Sequence, residues 1–235
     1  LSKSFKRVYA RADISAAGHG HAIHLDGKPV KTPGGRVLAV PTAALAEAVA
    51  AEWNAQGEVV IPATMPLTQL VSTALDRVEP DRDHIIAELM KYAGTDLLCY
   101  RAEIPTDLAE RQTREWQPLL DWATLALDAP LTTTTAMLAI HQPPGALAAL
   151  RRILEHADPW RLTAVQSATA VMGSLILALA LAEGRLTAEQ AFALSQLDET
   201  YQIEQWGQDE EAAERHAELR RDVAAAARLL ELLAV

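Results

Sequence analysis

LTAVQSATAVMGSLILALALA, residues 162–182, runs for twenty-one residues without a charged side chain, about the length that crosses the hydrocarbon core of a bilayer. Whether this run spans a membrane or fills the centre of a folded bundle decides the fold. Its chemistry favours the bundle. Thr163, Gln166, Ser167, Thr169 and Ser174 stud its first two thirds, alanine supplies much of the rest, and no aromatic belt closes its far end. Asp158-Pro159 reads as a helix start, with an Asx cap and proline in the first turn, and Gly184 as its stop. One central helix, buried on nearly all sides, is therefore expected, with no membrane insertion.

Helical patterning continues on both sides of this run. Downstream, Thr187 and Gln190 form a capping box that opens TAEQAFALSQLDETYQIEQW as one helix, and Leu219, Val223, Ala226, Leu230 and Leu233 give a three-four seam to the end. Upstream, Pro143-Pro144 opens a helix to about His156, and the TTTT run at 132–135 reads as an extended connector. Leu108, Gln112, Trp116, Leu119, Ala123 and Leu127 mark another helix, in which Pro118 is expected to produce a kink or a division. Ile85, Leu89, Tyr92 and Ala93 mark one more, and after Pro66 the residues Leu67, Leu70, Val71, Ala74, Leu75 and Val78 share a face.

The first forty residues read differently. FKRVYA, HAIHL, KPVK and RVLAV are short and rich in β-branched or aromatic residues, with Asp26-Gly27 and Thr32-Pro33-Gly34-Gly35 between them as turns. Thr42 then caps a helix carrying Leu45, Val49 and Trp53 and ending near Gly57, and EVVI reads as a further strand. The expected class is α+β: a small antiparallel-sheet domain over residues 1–80, followed by a larger all-α helical bundle over 81–235.

Charge and composition narrow the function. Half of the 235 residues are hydrophobic, enough to bury a substantial core, and the net charge is −10. Residues 1–40 hold seven Lys/Arg against two Asp/Glu, whereas residues 186–235 hold four against eleven. An acidic chain with an acidic carboxyl-terminal end repels phosphate backbones and anionic lipid, so a nucleic-acid partner is not expected. A single cysteine makes neither an intramolecular disulfide nor a zinc cage. LSKSFKRVYARAD at the amino terminus has no secretory or transit pattern and reads as mature protein, and the cysteine usage fits a reducing cytoplasm or an organelle matrix.

Candidate chemistry is sparse. His19 and His21 in HGHAIH share a strand face but have no evident third ligand, so no metal is expected. TPGGR lacks the spacing of a phosphate-binding loop, and nucleophile-elbow, zinc-protease and dinucleotide motifs are absent. No cofactor is implied. Cys99, in YAGTDLLCYRAE at 92–103, lies in an apolar patch at or beyond a helix end and reads as a packed small hydrophobe. A hydrolase using Cys99, or a Ser/His pair, is the enzymatic alternative; a general protein-interaction scaffold is the other. DETYQIEQWGQDEEAAE at 198–214 is the stronger binding candidate. Its carboxylates surround Trp206-Gly207, with Asp209 as the expected cap of the last helix, and their number exceeds what capping requires.

Seven collinear blocks, LDGKPVKTPGG, AAEWNAQGE, TMPLTQLVSTALDRV, KYAGTDLLCYRAE, PLLDWA, GSLILALALAEGRLTAEQA and LDETYQIEQWGQDEE, together resemble the assembly chaperones of the ATP synthase catalytic head, specifically those that handle the alpha subunit. The resemblance implies a non-enzymatic protein, mixed α/β then helical. Such a protein would bind unassembled alpha subunit and keep it from aggregating until beta subunit replaces it. It further implies a functional carboxylate in the LTAEQA region, which here is Glu189. With the hairpin, the expected partner-binding residues are Glu189, Glu199, Trp206, Asp209 and Glu210. A monomeric, bacterial and cytoplasmic protein is the corresponding expectation.

Overall fold

The computed structural model describes residues 4–18, 20–136, 138, 140–207 and 210–234. The chain divides into two compact units. Residues 1–82, 159–164 and 228–235 form the first, and 83–158 with 165–227 form the second.

In the first unit, β2 (Ala12–Ala17), β3 (Gly20–Leu25), β4 (Lys28–Pro29) and β5 (Ala39–Val40) make an antiparallel sheet with β3 paired to each of the others. The Asp26-Gly27 turn forms as expected, both residues taking positive φ, 49° and 80°, which matches the twist of a tight hairpin. β2 is an addition to the strands read from the sequence, because ADISAA carries little β propensity and gains its place by pairing with β3 along its whole length. β1 (Phe5–Lys6) leaves this sheet and pairs with β6 (Val59–Val60).

Helix α1 (Ala43–Asn54) starts at Thr42, whose Oγ1 accepts from the Leu45 N–H at 3.2 Å, and buries Leu45, Ala46, Val49 and Ala50. A small satellite core of Tyr9, Val60 and Met65 packs with Leu25 and Trp53. α2 (Pro66–Thr73) receives its amino-terminal cap from a distance: the half-buried Glu52 carboxylate accepts from the N–H groups of Leu67 and Thr68 at 2.7 and 2.8 Å. A wider, π-helical turn over 74–78 follows.

The second unit is helical. α3 (Arg82–Gly94) leads through a 3₁₀ turn at 97–99 into α4 (Thr106–Leu127). α4 runs 22 residues through Pro118 undivided. Proline removes one N–H, but Trp116, Leu119, Leu120 and Ala123 are buried on both sides of it, and that packing outweighs a single lost hydrogen bond. α5 (Pro144–His156), α6 (Pro159–Met172), α7 (Leu175–Ala182), α8 (Ala188–Ser195), α9 (Leu197–Trp206) and α10 (Glu210–Leu233) follow, the start of α6 and the end of α10 belonging to the first unit.

Two expected single helices are each two. The uncharged run breaks at Gly173, where φ is +67°, and restarts at Ser174, whose Oγ accepts from the Leu177 N–H at 3.0 Å. The Leu175–Leu181 run is then buried throughout, so the apolar run fills a core and no described helix is long and apolar enough to cross a membrane. The helix opened by Thr187 likewise stops at Gln196, which has φ −103° and ψ 19°, and Leu197 turns inward to start α9. The capping box itself forms in full, with Gln190 Oε1 accepting from the Thr187 N–H at 2.9 Å.

Candidate functional site

YAGTDLLCYRAE resolves into a sealed junction. Asp96 is fully buried, and its carboxylate accepts from Ser174 Oγ at 2.7 Å, the Ile176 N–H at 3.0 Å and the Leu98 N–H at 3.1 Å. It thereby caps the start of α7 and the 3₁₀ turn together, while the Leu97 N–H reaches the Gly173 carbonyl at 3.2 Å. Burial outweighs these donors and pushes the Asp96 carboxyl up to about 6. Cys99 is also fully buried, and burial, with Asp96 nearby, pushes its thiol up to about 12. A thiol so held is neither exposed nor ionised at neutral pH, so Cys99 is not a nucleophile.

The acidic carboxyl-terminal region is open by contrast. Trp206 ends α9 with 80% of its surface exposed, and Gly207 turns the chain at φ +83°, a conformation that glycine adopts without strain. Glu199, Ile203 and Trp206 fall at i, i+4 and i+7 and therefore share one face of α9. Beyond the turn, Glu210 and Glu211 occupy the first turn of α10, where the helix dipole favours them. Glu199 and Glu211 line one shallow cleft with Arg215 and His216. Asp209 lies outside the described residues, as does His19.

Glu189 stands apart from this face. In the first turn of α8, it accepts from Arg220 of α10 through both oxygens, at 2.9 and 2.6 Å, and this bidentate pairing lowers its pKa. Its charge is thus fixed in position and partly answered within the molecule.

Several carboxylates that looked alike in the sequence serve the hairpin's own anchorage. Glu204 takes two bonds from Arg111 Nη1 at 3.0 and 2.8 Å, Asp198 accepts from Gln112 Nε2 at 2.7 Å, and the Tyr201 hydroxyl donates to Asp107 at 2.9 Å. Trp116 Nε1 donates to the Leu194 carbonyl at 2.9 Å. Gln112 also accepts from the Ala102 N–H at 2.7 Å, so this buried amide joins three segments. α4 thus holds α9 through a polar ladder that leaves Glu199, Trp206 and Glu210 outward. Only a polar Gln112 within an apolar helix stripe hinted at it beforehand.

Residues 6–124 match the sequence profile of the ATP12 chaperone protein family. The chain belongs to the ATP12 chaperone family. Among relatives, the mitochondrial ATP12 protein of Schizosaccharomyces pombe is 28% identical over 228 residues, covering 90% of this chain and 77% of the relative. The crystal structure of Atp12 from Paracoccus denitrificans superposes with a TM-score of 0.91 at 42% identity, covering 97% of both chains. A variant of that protein with one aspartate replaced by lysine also gives 0.91, at 41% identity over 97% of both chains, so that charge reversal leaves the ATP12 fold in place. A solved protein of Agrobacterium tumefaciens gives 0.94 at 44% identity over 98% of this chain and 87% of its own. ATP12 membership makes the chain a chaperone of ATP synthase assembly, and it accounts for the α+β architecture.

Proposed function

We propose that this chaperone binds the unassembled alpha subunit of the ATP synthase head and shields it from aggregation until beta subunit takes its place. Trp206 carries the reading: a large aromatic, 80% exposed at a hairpin tip. An isolated soluble domain gains nothing from presenting it to water, whereas burial against a partner suits an interface anchor. Exposed Glu199 on α9 and Glu210 at the start of α10, with Asp209 next to Glu210 in the sequence, add negative charge that selects a basic-rimmed apolar client surface. Glu189 adds its charge on α8 and, being held by Arg220, ranks below the others.

Binding needs no nucleotide hydrolysis, only a higher affinity for the orphan surface than for the assembled one. Beta releases the chaperone by mass action because it offers the larger native interface. A monomer keeps the hairpin free. Higher identity to the Paracoccus and Agrobacterium proteins than to the yeast one supports a bacterial cytoplasmic setting.

The test is capture of alpha from native lysate by the tagged chain, followed by reconstitution with purified alpha and with unrelated clients. Recovery of alpha without beta, and preference over those clients, is the expected result. Equal retention of every client would leave a general scaffold instead.

A further inference from the structure

The helical unit carries a second concave surface of the opposite charge. Between α4 and the α8–α9 pair lies a cleft of about 750 Å³, within the ~300–1,000 Å³ range typical of sites that enclose ligand groups. Its floor is apolar, built by Pro118, Leu119, Leu194 and Leu197, and Arg111, Arg114 and Arg185 line it against a single carboxylate, Glu115. In a chain of net charge −10, three guanidiniums around an aliphatic floor are a local reversal.

These arginines differ in what already occupies them. Arg111 is committed to Glu204. Arg114 meets Glu115 through Nε alone, at 3.1 Å, with both side chains well exposed. Among the described residues no carboxylate pairs with Arg185, whose guanidinium lies 5.7 Å from the centroid of the Trp122 ring. Two planar, weakly hydrated forks are therefore available to carboxylates at the edge of an apolar floor.

The outer face of α4 extends that floor. Pro118, Trp122 and Leu125 follow Arg111 and Arg114 at three- and four-residue steps, and Leu125 is 87% exposed. Pro118 has no N–H, so the Arg114 carbonyl receives no i+4 bond within α4. Cations and apolar floor occur together at one place.

We propose that this cleft is a second client-contact surface, taking an acidic polypeptide segment that presents apolar side chains to the floor and carboxylates to Arg114 and Arg185. The proposal rests on the chaperone reading and adds to it a client chemistry opposite to that selected by the acidic hairpin. A nucleic acid fits less well, because the chain as a whole repels polyanions and the floor is aliphatic.

Fluorescence anisotropy with the full chain tests it. The probe is a labelled 20-residue amphipathic peptide with leucine on one face and glutamate on the other. A leucine/lysine peptide and an oligothymidylate are the comparisons. We expect the glutamate peptide to bind and to weaken with salt, and Arg114→Glu with Arg185→Glu to reduce its affinity by about tenfold or more. Both arginines are exposed, so circular dichroism of the double variant should match wild type; Arg114→Lys with Arg185→Lys keeps most of the binding even if the reversal perturbs folding. Arg221→Glu, on α10 and outside the cleft, leaves it unchanged.

Equal binding of the lysine peptide, displacement by the oligothymidylate at like concentration, or indifference to the double reversal in a folded protein overturns the proposal. Running intact alpha in parallel separates the two readings. Cleft-dependent peptide binding without retention of alpha removes the alpha-subunit reading alone. Retention of alpha by wild type and double reversal alike, with no peptide binding, removes the cleft alone.

Discussion

The junction at 96–99 sets a thiol beside one carboxylate and the hairpin formed by α9 and α10 sets a tryptophan among several, and the fold treats the two oppositely. At the junction the polar atoms turn inward and spend themselves on backbone donors: Asp96 holds two segment starts and Cys99 is sealed beside it. At the hairpin the inward carboxylates are similarly spent on α4, but Trp206 and Glu199 are left facing out. Polar residues stabilise where they are enclosed with partners and recognise where they are not.

Four results would break or sharpen this contrast. The largest effect concerns the thiol: with its pKa near 12 rather than 9.0, Cys99 should react with an alkylating reagent at neutral pH on the order of a thousandfold more slowly than a free cysteine. Denaturant should abolish the difference. Rapid labelling of the folded protein would mean that the junction is open.

Next comes Asp96→Ala, which leaves the Ser174 hydroxyl and two backbone N–H groups buried without their acceptor. A loss of about 3–5 kcal/mol in urea unfolding is expected. A loss below about 1 kcal/mol would show that α7 is capped by other means.

Titration gives a third result. Because the folded pKa of Asp96 is raised, from 3.8 to about 6, its protonated form favours the native state. The contribution is complete below pH 3.8 and disappears as pH rises through 6, amounting to about 3 kcal/mol between those limits. Asp96→Asn should flatten the stability profile across that window; parallel profiles for both proteins would refute the assignment.

The smallest effects on folding belong to the hairpin. Trp206→Ala should change unfolding free energy by less than about 0.5 kcal/mol while weakening alpha binding at least about tenfold. Glu189→Lys should leave the unfolding midpoint nearly unchanged and weaken binding less than the tryptophan change does. Loss of stability with retained binding would exchange the roles of the two regions.

Much of this fold was legible because local signals agreed with it. Thr42, Asp26-Gly27 and the Thr187–Gln190 box each act over a few residues, and each forms as read. What escaped depends on distant partners. Gly173 breaks the uncharged run where Asp96, far away in sequence, supplies a cap, and ADISAA becomes a strand only beside β3. The grouping of residues 228–234 with the first unit, marked by Thr42 Oγ1 donating to the Leu232 carbonyl at 2.7 Å, is not encoded in the three-four seam that runs through that segment.

The candidate site was legible as composition and not as geometry. An exposed tryptophan and a buried one read alike in a helical pattern, and Trp116 and Trp206 are opposite cases. Composition alone likewise does not separate Glu199 from Glu189 and Glu204, of which the last two are engaged by Arg220 and Arg111.

The central proposal is that this ATP12-family chain shields orphan alpha subunit through the hairpin. Light scattering of purified alpha, diluted from denaturant without ATP in the presence of the chain, tests it most directly. The account predicts that wild type suppresses aggregation at near-stoichiometric ratio and that Trp206→Ala, folded and equally stable, does so poorly. Equal protection by the two proteins, or none by wild type, would contradict it.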